Sequence, residues 1–237
     1  MQILGIIPAR SGSKSVPGKN IKMLAGVSLI AYTIAAAKRS KLITELILSS
    51  DSEEIISIAT KYGANAPFKR PESLANDETP SIDVIKHALF FFAEKGKNFE
   101  AVCLLQPTSP FRTETLIDRC IEKFVATKAD TLFTAIKVPH QYNPHWIFEK
   151  DANENLHVAT GESEIISQRQ KLPPAFIRDG AVYIIKTDTI LQQNTLYGKN
   201  ISFIETNEHW HTNIDSEEDW VKAEKKATEY LQQFPFE

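Results

Sequence analysis

Arg10, Lys14 and Lys19 stand within ten residues of one another in IIPARSGSKSVPGKN, residues 6–20, among the small residues Ser11, Gly12, Ser13, Ser15 and Gly18. Small residues let backbone N–H groups approach an anion closely, and three cations in so short a span can offset several phosphate charges. Any one of the lysines, taken alone, reads as a solvated surface group. Three cations directly after the apolar run ILGIIP read as a cradle for a triphosphate. The stretch contains neither G-x-x-x-x-G-K-[ST] nor G-x-G-x-x-G, so it is neither a Walker loop nor a dinucleotide fingerprint. No G-x-S-x-G elbow occurs in the chain, which argues against a hydrolase of that type.

The positive charge is local. Arg10, Lys14, Lys19, Lys22, Lys38, Arg39 and Lys41 all precede the first acidic residue, Glu45, yet the 237-residue chain carries 27 Lys+Arg against 30 Asp+Glu, a net of −3. A nucleic-acid surface spreads its cations and interleaves them with aromatic residues. The pattern here favours a compact anionic ligand held in one place.

Four further stretches carry polar side chains. In KRPESLANDETPS (69–81), Arg70 can face a ligand or pair with Glu72 at the surface, while Asp77 suits a helix or turn cap. LLQPTSPFR (104–112) leaves an apolar run, which puts Gln106, Thr108, Ser109 and Arg112 at a strand end; Ser109 and Arg112 suit capping and tethering of the next helix. RQKLP and RDGAVY bring Arg169, Gln170, Asp179 and Tyr183. NIDSEEDW offers Asp215, either a metal-ligating carboxylate or an N-cap of the terminal helix, and Asp219, a solvated or capping carboxylate of that helix. His209 and His211 flank Trp210, and His140 and His145 lie close together, but no Cys accompanies them and no H-E-x-x-H is present, so packed histidines are the better reading than a zinc site.

The elements that must position these residues follow a β-α-β-α rhythm. ILGIIP, LIAYTIAAAKRS, ELILSS and SEEIISIATKYG alternate apolar runs with helical periodicity, the last opening behind Asp51 or Ser52 as a cap. SIDVIKHALFFFAEKG, AVCLLQ, TLIDRCIEKFVATK and TLFTAIKV continue the series. This predicts a doubly wound α/β fold with a mostly parallel sheet, whose ligands bind at the carboxyl ends of the strands. The rhythm fails from about 139 to 176, which reads as an insertion in a single domain spanning 1–237. It resumes with AVYIIKT, ISFIET and the amphipathic SEEDWVKAEKKATEYLQQF. Forty-two per cent hydrophobic residues can build a substantial core. Cys103 and Cys120 read as two buried thiols, and no segment approaches the roughly 20 apolar residues that span a bilayer, so a soluble, cytoplasmic protein is expected.

IIPARSGSKSVPGKN, FKRPESLANDETPS, LLQPTSPFR, RQKLPPAF, GAVYI and IDSEEDW occur in the order and spacing of the acylneuraminate cytidylyltransferases, the CMP-sialic acid synthetases, and the chain resembles that family from residue 3 to about residue 224. The resemblance implies a Rossmann-like nucleotidyltransferase fold and transfer of CMP from CTP to the C2 hydroxyl of a nine-carbon 2-keto sugar acid. It implies that Arg10, Ser13, Lys14, Lys19 and Asn20 hold the triphosphate, with Arg10 and Lys19 also stabilising the departing pyrophosphate, and that Arg70 and Ser81 read the cytosine. Gln106, Arg169, Gln170, Asp179 and Tyr183 fall to the sugar. Mg²⁺ or Mn²⁺ falls to Asp215, with Asn213 standing where many relatives have a second Asp. The insertion resembles the family's dimerisation element, which closes the partner's sugar pocket, so a homodimer is expected with Tyr142, Trp146 and Phe148 in its interface.

Two departures, Asp179-Gly180 for the more usual Asn-Gly and Asn213 for Asp, keep CMP-legionaminic, CMP-pseudaminic and CMP-Kdo synthesis open beside N-acetylneuraminate. A non-catalytic nucleotide-binding regulator is the rival from another class. The pattern singles out no general base: Asp215, a metal-bound hydroxide and solvent each remain possible acceptors.

Overall fold

The computed structural model describes residues 1–236. The chain runs β1 (Ile3–Pro8), β2 (Met23–Leu24), β3 (Val27–Ser28), α1 (Leu29–Arg39), β4 (Glu45–Ser49), α2 (Glu53–Lys61), α3 (Ser81–Ala93), β5 (Ala101–Leu104), α4 (Leu116–Thr127), β6 (Thr131–Lys137), β7 (Phe148–Lys150), β8 (Leu156–Val158), β9 (Phe176–Lys186), α5 (Thr187–Leu191), β10 (Ile201–Glu205) and α6 (Glu217–Gln233). Six strands form one sheet in the order β10-β6-β9-β5-β1-β4. Pairings β1–β4, β1–β5 and β10–β6 are parallel, and β9 runs antiparallel to both β5 and β6.

The sheet is covered on both faces, which explains why its central strands read as unbroken apolar runs. Ile3 and Ile7 of β1 turn toward α1, α2 and α4, where they join Ile34, Ala59 and Phe124. Leu4 and Ile6 turn the other way, toward Val84, Leu89 and Phe92 of α3 and Ile190 of α5. At roughly 25 cal/mol per Å² of apolar surface, these two layers are the main source of stability. A third cluster seats α6 against α1 through Tyr32, Phe111, Trp210, Trp220 and Tyr230. Cys103 and Cys120 are buried, and burial pushes the Cys103 thiol up to about 12, a reactivity-suppressing environment. Among the described residues, no helix is long and apolar enough to cross a membrane.

Residues 138–175 separate β6 from β9 and hold the β7–β8 hairpin and three short 3₁₀ turns. An antiparallel neighbour needs no helical crossover, so this connection replaces one. Tyr142, Phe148, Leu156 and Ile165 are exposed on it, while the Trp146 indole donates to the Ile166 carbonyl at 2.5 Å. The β2–β3 hairpin, turned at Ala25-Gly26 with φ of 47° and 81°, and the one-turn α5 are elements the periodicity did not predict.

Candidate active site

A cleft of about 490 Å³ opens where β1 and β5 end, as the switch-point rule for α/β sheets requires. The loop after β1 forms one wall. Gly18, at φ 60°, closes a turn in which the Ile21 and Lys22 amides both donate to its carbonyl, and Asn20 Nδ2 donates to the Arg10 carbonyl at 2.9 Å, tying the two ends of the loop together. Arg10, Ser13, Lys19 and Asn20 face the cleft from this wall. Lys14 is exposed at the rim and reaches inward to the Asp77 carboxylate at 2.6 Å.

Each cation that faces the cleft from this wall, or stands beside it, has one carboxylate. The Lys19 ammonium, 13 % exposed, donates to the Ile214 carbonyl at 2.8 Å and stands 3.7 Å from Asp215. Burial lowers its pKa, Asp215 partly offsets that, and nearby Arg10 adds to the lowering. Arg10 pairs with Asp77. Arg70 is almost wholly buried and stands 3.4 Å from Asp51, so the pairing with Glu72 considered from the sequence is not the one formed. Its Nε is buried without a partner, a donor left over at the edge of the cleft. Burial pulls the Asp51 carboxyl up, but the Ser11 hydroxyl and amide together with Arg70 outweigh it and hold Asp51 below the ordinary carboxylate range.

Ser81, at the start of α3, lines the cleft beside Arg70. Gln106 and Tyr183 also line it, with Arg178, which the sequence reading passed over. The Arg178 guanidinium lies over the Tyr197 ring, 5.0 Å from its centroid, and donates to the Tyr197 hydroxyl. Asp215 and Asn213 complete the wall, with the Asn213 amide donating to the Asp215 carboxylate. Ser216 is the N-cap of α6 and forms a capping box with Asp219, which leaves Asp215 out of helix capping and facing the cleft.

Two sequence expectations are corrected. Asp179 does not face the cleft: its carboxylate is buried and accepts from Thr134 Oγ1, Thr206 Oγ1 and the Ala181 amide, beside a separate cavity of about 150 Å³ that also touches Ser109 and His211. The cause is a register shift in the β6–β9 pairing, where Phe133 faces Tyr183 but Ala135 faces Arg178. Regular pairing would bring Ala181 opposite Ala135, so three residues (181 − 178) are taken up around Gly180, at φ 80°, and the parity of the strand inverts. Counting alternate residues back from Tyr183 therefore selects Asp179 where the fold presents Arg178. Arg169 and Gln170 lie exposed on a 3₁₀ turn of the insertion, outside the cleft of their own chain. Asp77, read as a cap, is instead the shared partner of Arg10 and Lys14.

Arg112 and Ser109 hold the site rather than line it. The fully buried Arg112 donates from Nε to Ala181 O at 2.8 Å, from Nη1 to Thr33 Oγ1 at 2.9 Å and from Nη2 to Gln106 O at 2.8 Å. Burial pulls its guanidinium down to about 10. Ser109 donates to Asp179 O at 3.0 Å. A Cβ on Gly180 would meet Ser109 Oγ at 2.7 Å and Gln106 Oε1 at 3.2 Å, so only glycine allows this approach.

The cleft brings together the cations Arg10 and Lys19, the nearly buried Arg70, and Arg178, Gln106 and Tyr183. Asp215 is exposed, and among the described residues no cluster of three His, Cys, Asp or Glu side chains forms a metal cage.

The family model described as cytidylyltransferase matches residues 4–233. The chain is 35% identical over 228 residues to the CMP-N,N'-diacetyllegionaminic acid synthase of Legionella pneumophila, covering 95% of this chain and 96% of that one. It is 45% identical over 123 residues to the N-acylneuraminate cytidylyltransferase of Escherichia coli, a match covering 52% of this chain and 28% of that one. A solved CMP:2-keto-3-deoxy-manno-octonic acid synthetase complexed with CTP has the same fold, with a TM-score of 0.74 at 13% identity, covering 98% of this chain and all of the other.

Proposed function

The chain belongs to the cytidylyltransferase family, whose members are nucleotidyltransferases, and from that premise we propose that it transfers CMP from CTP to the C2 hydroxyl of a nonulosonic acid, N-acetylneuraminate or a close analogue. The observation that carries the reading is the cleft itself, which Lys19, Arg10 and Asp215 line together with Gln106, Tyr183 and Arg178.

The hydroxyl oxygen forms a bond to the α-phosphorus as the bond between that phosphorus and the pyrophosphate oxygen breaks, and the hydroxyl proton leaves to solvent. Little covalent work falls to the protein in such a transfer, and positioning with charge stabilisation does most of it. Lys19 and Arg10 stabilise the charge that grows on the leaving pyrophosphate; Ser13 and Asn20 fix the loop around the phosphates. Arg70 and Ser81, which both line the cleft, supply a hydrogen-bonding edge for cytosine. Arg178 offers a planar guanidinium to the sugar carboxylate and Gln106 an amide to its hydroxyls.

Asp215 and the neighbouring Asn213 fit Mg²⁺ or Mn²⁺ in the way hard divalent cations are held beside nucleotides, by one carboxylate, substrate phosphates and water. When bound, such an ion neutralises charge on the α-phosphate and the leaving group. The reading extends to a homodimer in which the insertion carries Arg169 and Gln170 to the partner's cleft and the enzyme works in the cytoplasm. A legionaminic acid substrate is the second reading, favoured by the end-to-end similarity to the Legionella enzyme.

Pyrophosphate release with CTP and Mg²⁺ against N-acetylneuraminic, legionaminic, pseudaminic and Kdo acids tests all of this. Release with a nonulosonic acid, abolished in Lys19→Ala and Asp215→Ala, is expected. Undiminished release in Asp215→Ala rejects the metal assignment, and no release with any acid rejects the reaction.

A further inference from the structure

Of the three carboxylates that pair with the cleft cations, two have other work. Asp51 is held by the Ser11 amide and hydroxyl as well as Arg70, and so braces the opening loop. Asp215 is the metal candidate. Asp77 has no such role: its carboxylate contacts Arg10 with one oxygen and Lys14 with the other, the two cations that a triphosphate is expected to need.

The segment that carries Asp77 is held in an unusual way. Residues 71–80 form a 3₁₀ turn at Glu72–Leu74 followed by a turn in which Asn76 Oδ1 accepts from the Glu78 amide and the Thr79 hydroxyl. Among the described residues, the two ion pairs of Asp77 are the polar ties of this segment to the rest of the protein; its other hydrogen bonds are internal or run into α3. Leu74, Asn76, Asp77 and Thr79 all line the cleft, so the segment is a lip fastened across the phosphate end by one carboxylate.

We propose that Asp77 occupies the phosphate subsite in place of the nucleotide: it neutralises Arg10 and Lys14 before nucleotide binds, yields them when phosphate arrives, and returns when pyrophosphate leaves. The inference rests on the nucleotide reading of the cleft. A carboxylate and a phosphate cannot share two cations at contact without strong repulsion, so ligand and Asp77 exchange. Arg10 also lies close enough to lower the pKa values of both Lys19 and Arg70, so the cleft gathers positive charge that repels itself when unneutralised. Asp77 keeps this charge preorganised and weakens anion binding by competing for it. It is a positioning residue that favours product release.

The test is titration calorimetry with pyrophosphate, and separately with CTP, on the whole protein and on Asp77→Asn and Asp77→Glu. Asparagine keeps the shape and removes the charge at a solvent-exposed position, so folding is preserved. Pyrophosphate is expected to bind Asp77→Asn about 3- to 10-fold more tightly than wild type, with the gain shrinking as salt rises, while Asp77→Glu stays near wild type. In turnover, product inhibition by pyrophosphate sharpens in Asp77→Asn and the KM for CTP falls without a rise in kcat. Unchanged or weaker pyrophosphate binding in Asp77→Asn, with wild type binding normally, overturns the exchange role alone. Absence of both CTP and pyrophosphate binding in wild type overturns the nucleotide reading and this inference with it.

Discussion

Lys19 is the residue on which the proposed phosphate subsite turns. Its ammonium is largely removed from water and oriented by the Ile214 carbonyl, with Asp215 3.7 Å away. A preorganised cation in such a place is worth far more to a transition state than to a folded chain. Lys19→Met is therefore expected to lower kcat/KM for CTP by about 10²- to 10³-fold. Its melting temperature should stay within a few degrees of wild type, because a half-buried charge is removed along with its hydrogen bond. Steady-state kinetics beside a thermal melt separate the two effects. At this scale the opening cations were readable from their crowding in 6–20, Gln106 from its place after an apolar run, and Asp215 through the family resemblance of NIDSEEDW. Asp51 and Asp77 were not, since what makes them matter is the cation each one meets across the fold.

Among the elements, the link between α1, β5 and β9 rests on Arg112. Its three donors reach Thr33, the carbonyl of Gln106 and the carbonyl of Ala181, and Tyr230 of α6 donates to its own carbonyl at 2.6 Å. Replacing it by methionine leaves the buried Ala181 carbonyl and the Thr33 hydroxyl without this donor and the Gln106 carbonyl with the Ser109 amide alone, which costs more than the charge's own desolvation returns. Arg112→Met is expected to lose about 3 kcal/mol of stability in urea unfolding. It should also raise the sugar KM, because Gln106 loses its anchor. α6 offers a milder case: Ser216→Ala removes the acceptor for the Asp219 amide and is expected to cost about 1 kcal/mol by the same measurement, with activity retained. Most of these elements were legible, since helical and strand periodicities are written by the burial of α3, α4, β1 and β5. The β9 register was not, because an irregularity at Gly180 changes which face a side chain takes without changing the hydrophobic pattern around it.

The molecule as a whole is expected to respond to acid. Ser216 hydrogen bonds hold the Asp219 carboxyl below its ordinary value, and Asp51 is likewise lowered despite its burial. A carboxyl with a depressed folded-state pKa favours the folded state above the unfolded value of 3.8, and that contribution is lost as pH falls through the lower folded value. The urea midpoint should therefore decline below about pH 4, with Asp51→Asn showing a shallower decline. The insertion calls for a second measurement at this scale. With Tyr142 at 62 % and Leu156 at 64 % exposure, it presents apolar surface that a homodimer would cover. Sedimentation equilibrium is expected to give twice the chain mass of 26.7 kDa, shifting toward monomer in Phe148→Asp combined with Leu156→Asp.

From sequence alone came the α/β layering, the insertion and the anion cradle, because each is set by local composition: apolar period, its interruption, and charge crowded beside small residues. Only the tertiary structure decided that Asp179 turns from the cleft while Arg178 enters it, that Arg70 meets Asp51, and that Asp77 fastens a lip across Arg10 and Lys14. Those facts depend on strand register and on contacts between residues distant in the chain, and a one-dimensional pattern carries the propensity of each partner but not their meeting.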